Sequence, residues 1–214
     1  MKFVIPCLIV TAIAAVALSL AIYQADNPPE QVPTTPARIV HIADWHYFPA
    51  GDCNDTNDSA LIERIQQQQM DAIRALDVRE VWVEGQSDET IAEFRRHVLR
   101  LRDVKLPGAD SDNPVDQLIA EMYREDLLLI GSAGRLLLAG EIDDVLPLED
   151  HEAWQAAQPV DCVIPEASDA ERERAMARRL PRRAVVVLGV FHDLGKWLPK
   201  EAGYRVVRVE AIPD

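Results

Sequence analysis

Ala184-Val185-Val186-Val187-Leu188-Gly189-Val190-Phe191-His192-Asp193 is the stretch that decides the fold. An unbroken apolar run rich in β-branched residues, closed by glycine, reads as a strand buried on both faces. Such strands occur in parallel sheets covered by helices on either side. Just upstream, Ser168-x-x-Glu171 forms a capping box that predicts a helix from there through Leu180. Downstream, residues 204–209 predict one further strand. The expected fold is therefore α/β: a mostly parallel central sheet flanked by helices, in a single domain after an N-terminal hydrophobic segment.

The same alternation continues back toward the N-terminus. Residues 38–43 (RIVHIA) read as a buried strand, and 59–76 as a helix with Leu61, Ile62, Ile65, Ile73 and Leu76 on one face. Residues 79–84 (REVWVE) predict a second strand and 88–102 a second helix. Asn113-Pro114 marks a helix start, with Asn as cap and Pro in the first turn. That helical pattern runs to Leu138 with a break at Gly131, before a short strand at 144–148. Residues 49–58 and 103–112 read as loops. Gln66 to Gln69 read as a solvated helix face from which one Gln could reach a site at the sheet edge.

The domain limits follow from composition. Met1-Lys2 precedes a run, residues 3–23, that carries no charge. At about 1.5 Å per helical residue it is long enough to cross a hydrocarbon core of roughly 30 Å. Ser19-Leu20-Ala21 would also suit signal peptidase, so residues 1–25 are either a cleaved signal peptide or a retained anchor contacting the membrane through 3–23. Lys2 before the run and Asp26 and Glu30 after it place the body outside the cytoplasm, membrane-anchored or secreted. Residues 26–37 (DNPPEQVPTTPA) form a Pro-rich, semi-rigid linker, and 38–214 the folded domain. Cys53 and Cys162 fall in the exported part, where either a disulfide or two free thiols is compatible with the sequence. The chain has 22 Lys plus Arg against 36 Asp plus Glu, a net charge of −14. So acidic a surface repels phosphate backbones, which argues against a nucleic-acid partner.

In parallel sheets, ligands bind beyond the carboxyl ends of the strands. Three predicted strands end in Ala43-Asp44-Trp45-His46, in Glu84-Gly85 and in Gly189-Val190-Phe191-His192-Asp193. If the strands are parallel neighbours, His46, Glu84 and His192 converge at one edge, with Asp44 and Asp193 as supporting acids. Two imidazoles and a carboxylate suit Zn²⁺, Mn²⁺ or Fe²⁺ and leave positions open for water. Water on such an ion loses its proton near neutrality and becomes a nucleophile. The same trio could also act without metal, one His as general base and Glu84 orienting it. His41 falls in mid-strand and reads as core or second layer, and His97 as surface.

Several tempting motifs fail. His151-Glu152 begins like a zinc-protease helix, but Gln155 stands where the second His is required. Gly131-x-x-Gly134 lacks the Lys-Ser/Thr of a phosphate loop, and no nucleophile elbow is present. His192-Asp193 resembles the signature of the all-helical HD-domain phosphohydrolases, yet here the pair follows a β-branched strand. The order of motifs over nearly the whole exported domain resembles instead the TraB/Tiki and ChaN/erythromycin-esterase-like superfamily. Its carrying features are Ala43-Asp44-Trp45-His46 after the first strand, Glu84-Gly85 after the second, and the helix Arg172-Glu173-Arg174-Ala175-Met176-Ala177 leading to Gly189-Val190-Phe191-His192. Ala43 stands where this pattern carries Gly, and the chain is shorter than typical members. The resemblance implies an α/β fold and a metal-dependent, peptidase-like or esterase-like hydrolase acting on a peptide or small molecule through His46, Glu84 and His192. It also implies, as an alternative, a haem- or iron-binding protein, an option that Trp45-Tyr47-Phe48 beside His46 keeps open; a catalytically inactive interaction domain, with which Ala43 is compatible, is the third.

Overall fold

The computed structural model describes residues 38–47, 57–108, 111–158 and 166–213. The N-terminal segment, the Pro-rich linker, Phe48, Cys53 and Cys162 lie outside these residues. In chain order the elements are β1 (Ile39–Asp44), α1 (Ser59–Ala75), β2 (Glu80–Val83), α2 (Ile91–Arg102), α3 (Pro114–Leu129), α4 (Gly131–Ala139), β3 (Asp144–Pro147), α5 (His151–Ala156), α6 (Glu166–Arg179), β4 (Ala184–Gly189) and β5 (Tyr204–Val207). Two short 3₁₀ turns, Leu194–Lys196 and Lys200–Ala202, join β4 to β5. Among the described residues no helix is long and apolar enough to cross a membrane.

The five strands form one sheet in the order β3-β2-β4-β1-β5, and every pairing is parallel. The expected α/β class is thus the observed one. β4 sits in the middle, between β2 and β1, and its alternating side chains explain why its run is unbroken. Val185 and Val187 join one core with Val40, Ile42, Val81 and Val83, covered by Met70 and Ile73 of α1, Ile91 of α2 and Leu136 of α4. Val186 and Leu188 join the opposite core with Leu148, Met176 of α6 and Leu194. With both faces covered, apolar side chains are required at every position, the condition under which parallel strands lose their polar alternation.

Local chemistry fixes the element ends. The Asn113 side chain accepts a hydrogen bond from the Val115 N–H, with Pro114 in the first turn. The break in the long helical pattern falls at Gly131, whose φ of +66° separates α3 from α4. α6 departs from expectation, since it is already helical at Glu166 and Ser168 lies inside its first turn instead of capping it. Glu166 and Asp169 place negative charge in that turn, where the helix dipole favours it. β5 stops at Val207, because Val209 and Ile212 turn into the core with Ala43, Ile62 and Ile65. Gln66 and Gln69 are buried, so only part of the glutamine run is solvated. Their amide N–H groups find partners: Gln66 Nε2 donates to the Leu128 carbonyl at 2.7 Å, and Gln69 Nε2 donates to the Ala43 carbonyl at 2.9 Å.

Candidate functional site

The register places the site. Asp44 of β1 pairs with Gly189 of β4, and Val83 of β2 with Val187 of β4, so the three strands end within two residues of one another. The Glu84 N–H continues the ladder by donating to the Val187 carbonyl at 3.1 Å. This turns the Glu84 carboxylate into the edge directly beside Gly189, whose own N–H donates to Glu84 Oε2 at 2.6 Å.

Both strand-end histidines meet that carboxylate. His46 Nε2 lies 3.0 Å from Glu84 Oε2, and His192 Nε2 lies 3.2 Å from Glu84 Oε1. An ionised carboxylate only accepts, so each Nε2 carries its proton. Arg172 of α6 adds a fourth donor, its Nη2 lying 2.6 Å from Glu84 Oε1. The same guanidinium reaches Glu149 with Nη2 at 2.5 Å from Oε1 and Nε at 3.2 Å from Oε2. Glu149 Oε1 in turn accepts from the Gly85 N–H at 3.2 Å, which ties the turn after β2 to the same network. Burial pushes Glu84 up, but the charge and hydrogen bonds of His46 and His192 outweigh it and hold the carboxyl well below its usual range. Burial likewise works against the Arg172 cation, and Glu84 and Glu149 more than restore it.

A side chain at position 189 would disturb this centre. A Cβ there would lie 3.1 Å from Glu84 Oε2, 3.2 Å from His46 Nε2 and 3.4 Å from His192 Cδ2. Glycine is therefore favoured by the close approach of the site atoms to the backbone, since a Cβ would make them give by a few tenths of an ångström.

The supporting acids divide. Asp44 stands in the network, with Oδ1 accepting from Gln69 Nε2 at 2.7 Å and Oδ2 lying 3.5 Å from His46 Nδ1. The Asp193 carboxylate instead accepts from the Gly195 N–H at 3.0 Å and caps the first 3₁₀ turn. The remaining histidines take other places. His41 is fully buried, Nε2 donating to the Leu188 carbonyl at 2.9 Å with Nδ1 2.7 Å from the Tyr204 hydroxyl. His97 pairs with Asp126 at 3.2 Å, and His151 meets Gln155 at 2.8 Å within α5.

On the far side of His192 are two acids that the strand-end argument does not reach. His192 Nδ1 lies 3.3 Å from Glu173 Oε1 and 3.9 Å from Asp169 Oδ1, both on α6. Glu173 is fixed by the Asp193 N–H at 2.9 Å and by the Trp197 indole N–H at 3.0 Å. Asp169, Glu173 and His192 each present a ligand atom within 4.8 Å of the others, a group that can hold a metal ion. Their signal in the sequence is helical periodicity: Asp169, Arg172, Glu173 and Met176 stand at i, i+3, i+4 and i+7, so charged side chains occupy the face that Met176 buries. Arg172 was visible only as part of the family resemblance, and Glu149 not at all.

An aromatic pair flanks the exposed end of the centre, Trp45 packing against Phe191 at 5.9 Å between centroids in an edge-to-face arrangement. Phe191 is 75% exposed. The chain matches no family model, no curated protein and no solved structure.

Proposed function

We propose that this chain is an exported or membrane-anchored, metal-dependent hydrolase of peptidase-like chemistry, tethered through residues 3–23 and working through His46, Glu84 and His192. One observation carries the reading: two imidazoles meet the two oxygens of a single buried carboxylate at the carboxyl edge of a parallel sheet. A carboxylate that holds one ring N–H fixes the tautomer and makes the opposite nitrogen the base. His46 has 38% of its side chain exposed against 11% for His192. It is therefore the imidazole that meets substrate and takes a proton from the attacking water, while Glu84 orients it. A divalent ion, Zn²⁺, Mn²⁺ or Fe²⁺, held at this edge by His192 and neighbouring carboxylates, would supply water acidified toward neutrality. The TraB/Tiki and ChaN/erythromycin-esterase-like resemblance supports the same three residues and a peptide or small ester as substrate.

The test is turnover. Purified protein supplied with Zn²⁺ or Mn²⁺ should hydrolyse members of a peptide or chromogenic-ester panel, and His46→Ala should slow that hydrolysis by about 10²-fold or more. Absence of turnover across metals and substrate classes, or an unimpaired His46→Ala protein, ends this reading. A second reading is favoured by the exposed Phe191 against Trp45 beside His46, a shelf suited to a flat apolar ligand. In that case added haem should develop an absorption band that His46→Ala abolishes, without hydrolysis.

A further inference from the structure

We propose that Asp169, Glu173 and Nδ1 of His192 form a divalent-metal site on the α6 side of the centre, with Glu84 holding His192 from its opposite nitrogen. The proposal deepens the hydrolase reading, and only its catalytic consequence rests on that reading. It separates the metal from His46, which the strand-end argument alone had grouped with the ligands.

The first support is direction. Metal-bound histidines donate their second ring N–H to a carboxylate, which sets the tautomer and raises ligand basicity. His192 is set up for that arrangement: Nε2 donates to Glu84 Oε1 at 3.2 Å, so with a metal in place of the Nδ1 proton the Nδ1 lone pair would face Glu173 and Asp169. Glu84 is poorly placed to be a ligand itself, because its two oxygens already accept from His46, His192, Arg172 and Gly189. Ligation there would displace a buried guanidinium.

The second is spacing. Ligand atoms bonded to one first-row ion at about 2.0–2.2 Å lie roughly 3–4 Å apart. The His192 Nδ1 distances of 3.3 Å to Glu173 Oε1 and 3.9 Å to Asp169 Oδ1 fall in that range without rearrangement of the chain.

The third is an unmet oxygen. Asp169 Oδ1 is buried and takes no hydrogen bond among the described residues, a condition that an anionic oxygen does not hold cheaply. A cation between it and Glu173 would satisfy it. Exposure then gives the site an open side. The His192 and Glu173 side chains are 11% and 7% exposed, whereas that of Asp169 is 37% exposed. Two ligands largely shielded from solvent and one reaching the surface would leave room for water or substrate on the ion, as catalytic sites require. One imidazole with two carboxylates favours Mn²⁺, Fe²⁺ or Zn²⁺ over a purely oxygen-seeking ion such as Ca²⁺.

The experiment is a Mn²⁺ titration of the full chain, followed by electron paramagnetic resonance of free Mn²⁺ with Zn²⁺ as competitor. We expect one saturable ion per chain, weakened at least tenfold in both Asp169→Asn and Glu173→Gln and retained in His46→Ala. Asp169→Asn alters a partly exposed residue, so it stays informative even where Glu173→Gln fails to fold. Several weak sites insensitive to Asp169→Asn, or no saturable site, overturn the proposal and leave His192 an imidazolium held between carboxylates. Loss of the ion in His46→Ala also overturns it, by moving the metal to the strand-end trio. Mn²⁺ held as expected by a protein that hydrolyses nothing leaves the site standing and removes the hydrolase reading instead.

Discussion

Glu84 is where charge, hydrogen bonding and burial meet. Two consequences can be measured at single residues. Arg172 is the cation shared by Glu84 and Glu149, whose side chains are 8% and 1% exposed. Arg172→Met would leave both carboxylates buried without it, so we expect a loss of about 3–5 kcal/mol in denaturant unfolding, the cost of breaking a buried pair by removing one partner. An unchanged midpoint would mean that water reaches this network freely. Gly189→Ala works differently, because its methyl would press on Glu84 and His46 at 3.1 and 3.2 Å. Here the fold should be kept, with a stability change near 1 kcal/mol, while the NMR titration of the His46 ring shifts and the hydrolysis proposed above falls. A ring titration identical to that of the parent would show that the pair gives way without consequence. The strand-end residues were legible because a strand's last side chain follows from where its apolar run stops. Arg172, Glu149, Glu173 and Asp169 were not, because their partners come from other parts of the chain and only the third dimension pairs them.

The strands themselves were legible as runs of β-branched residues, whereas their order was only partly so. Convergence of the strands that begin near Ile39, Val81 and Val186 was expected from their shared endings. That β4 inserts between β1 and β2 follows from the return of the chain through α5 and α6, a path without any local signal. Buried polar residues were the other gap: Gln66 and Gln69 read as solvated until their amides are seen to satisfy backbone carbonyls. β1 carries a related case in His41. Burial pulls the His41 pKa below its ordinary value, and the Leu188 carbonyl and Glu84 oppose this only in part. The folded state therefore binds that proton less well than the unfolded chain. Stability from this group is fully present above the unfolded pKa of about 6.5 and is lost as pH falls toward the lowered folded value. The slope for one proton is at most about 1.4 kcal/mol per pH unit. His41→Gln removes the titration, so the stability gap between parent and variant should narrow as pH is lowered from about 7.5 to about 5. A gap that stays constant with pH would show that His41 takes up its proton equally in both states.

At the scale of the whole chain, the acidic domain and its N-terminal segment belong to one argument. A net charge of −14 over the chain offers no electrostatic attraction to anionic headgroups, so any association with a membrane is expected to come from residues 3–23. Charge around that run is asymmetric: Lys2 stands on one side, and Asp26 and Glu30 on the other. Lysine and arginine near an apolar span are retained on the cytoplasmic side, whereas acids contribute little to orientation, so the orientation signal is expected at Lys2. The expectation is that residues 38–214 lie outside the cytoplasm whether the segment is cleaved or retained. A reporter that needs an oxidising compartment, fused after Asp214, should be active, and one that fluoresces only in the cytoplasm should be dark. The reversed pattern would place the domain inside. Substituting Lys2→Glu should weaken the asymmetry and reduce the active fraction of the first reporter, because the one basic residue ahead of the span is then gone. Unchanged export in that variant would assign the orientation to something other than Lys2.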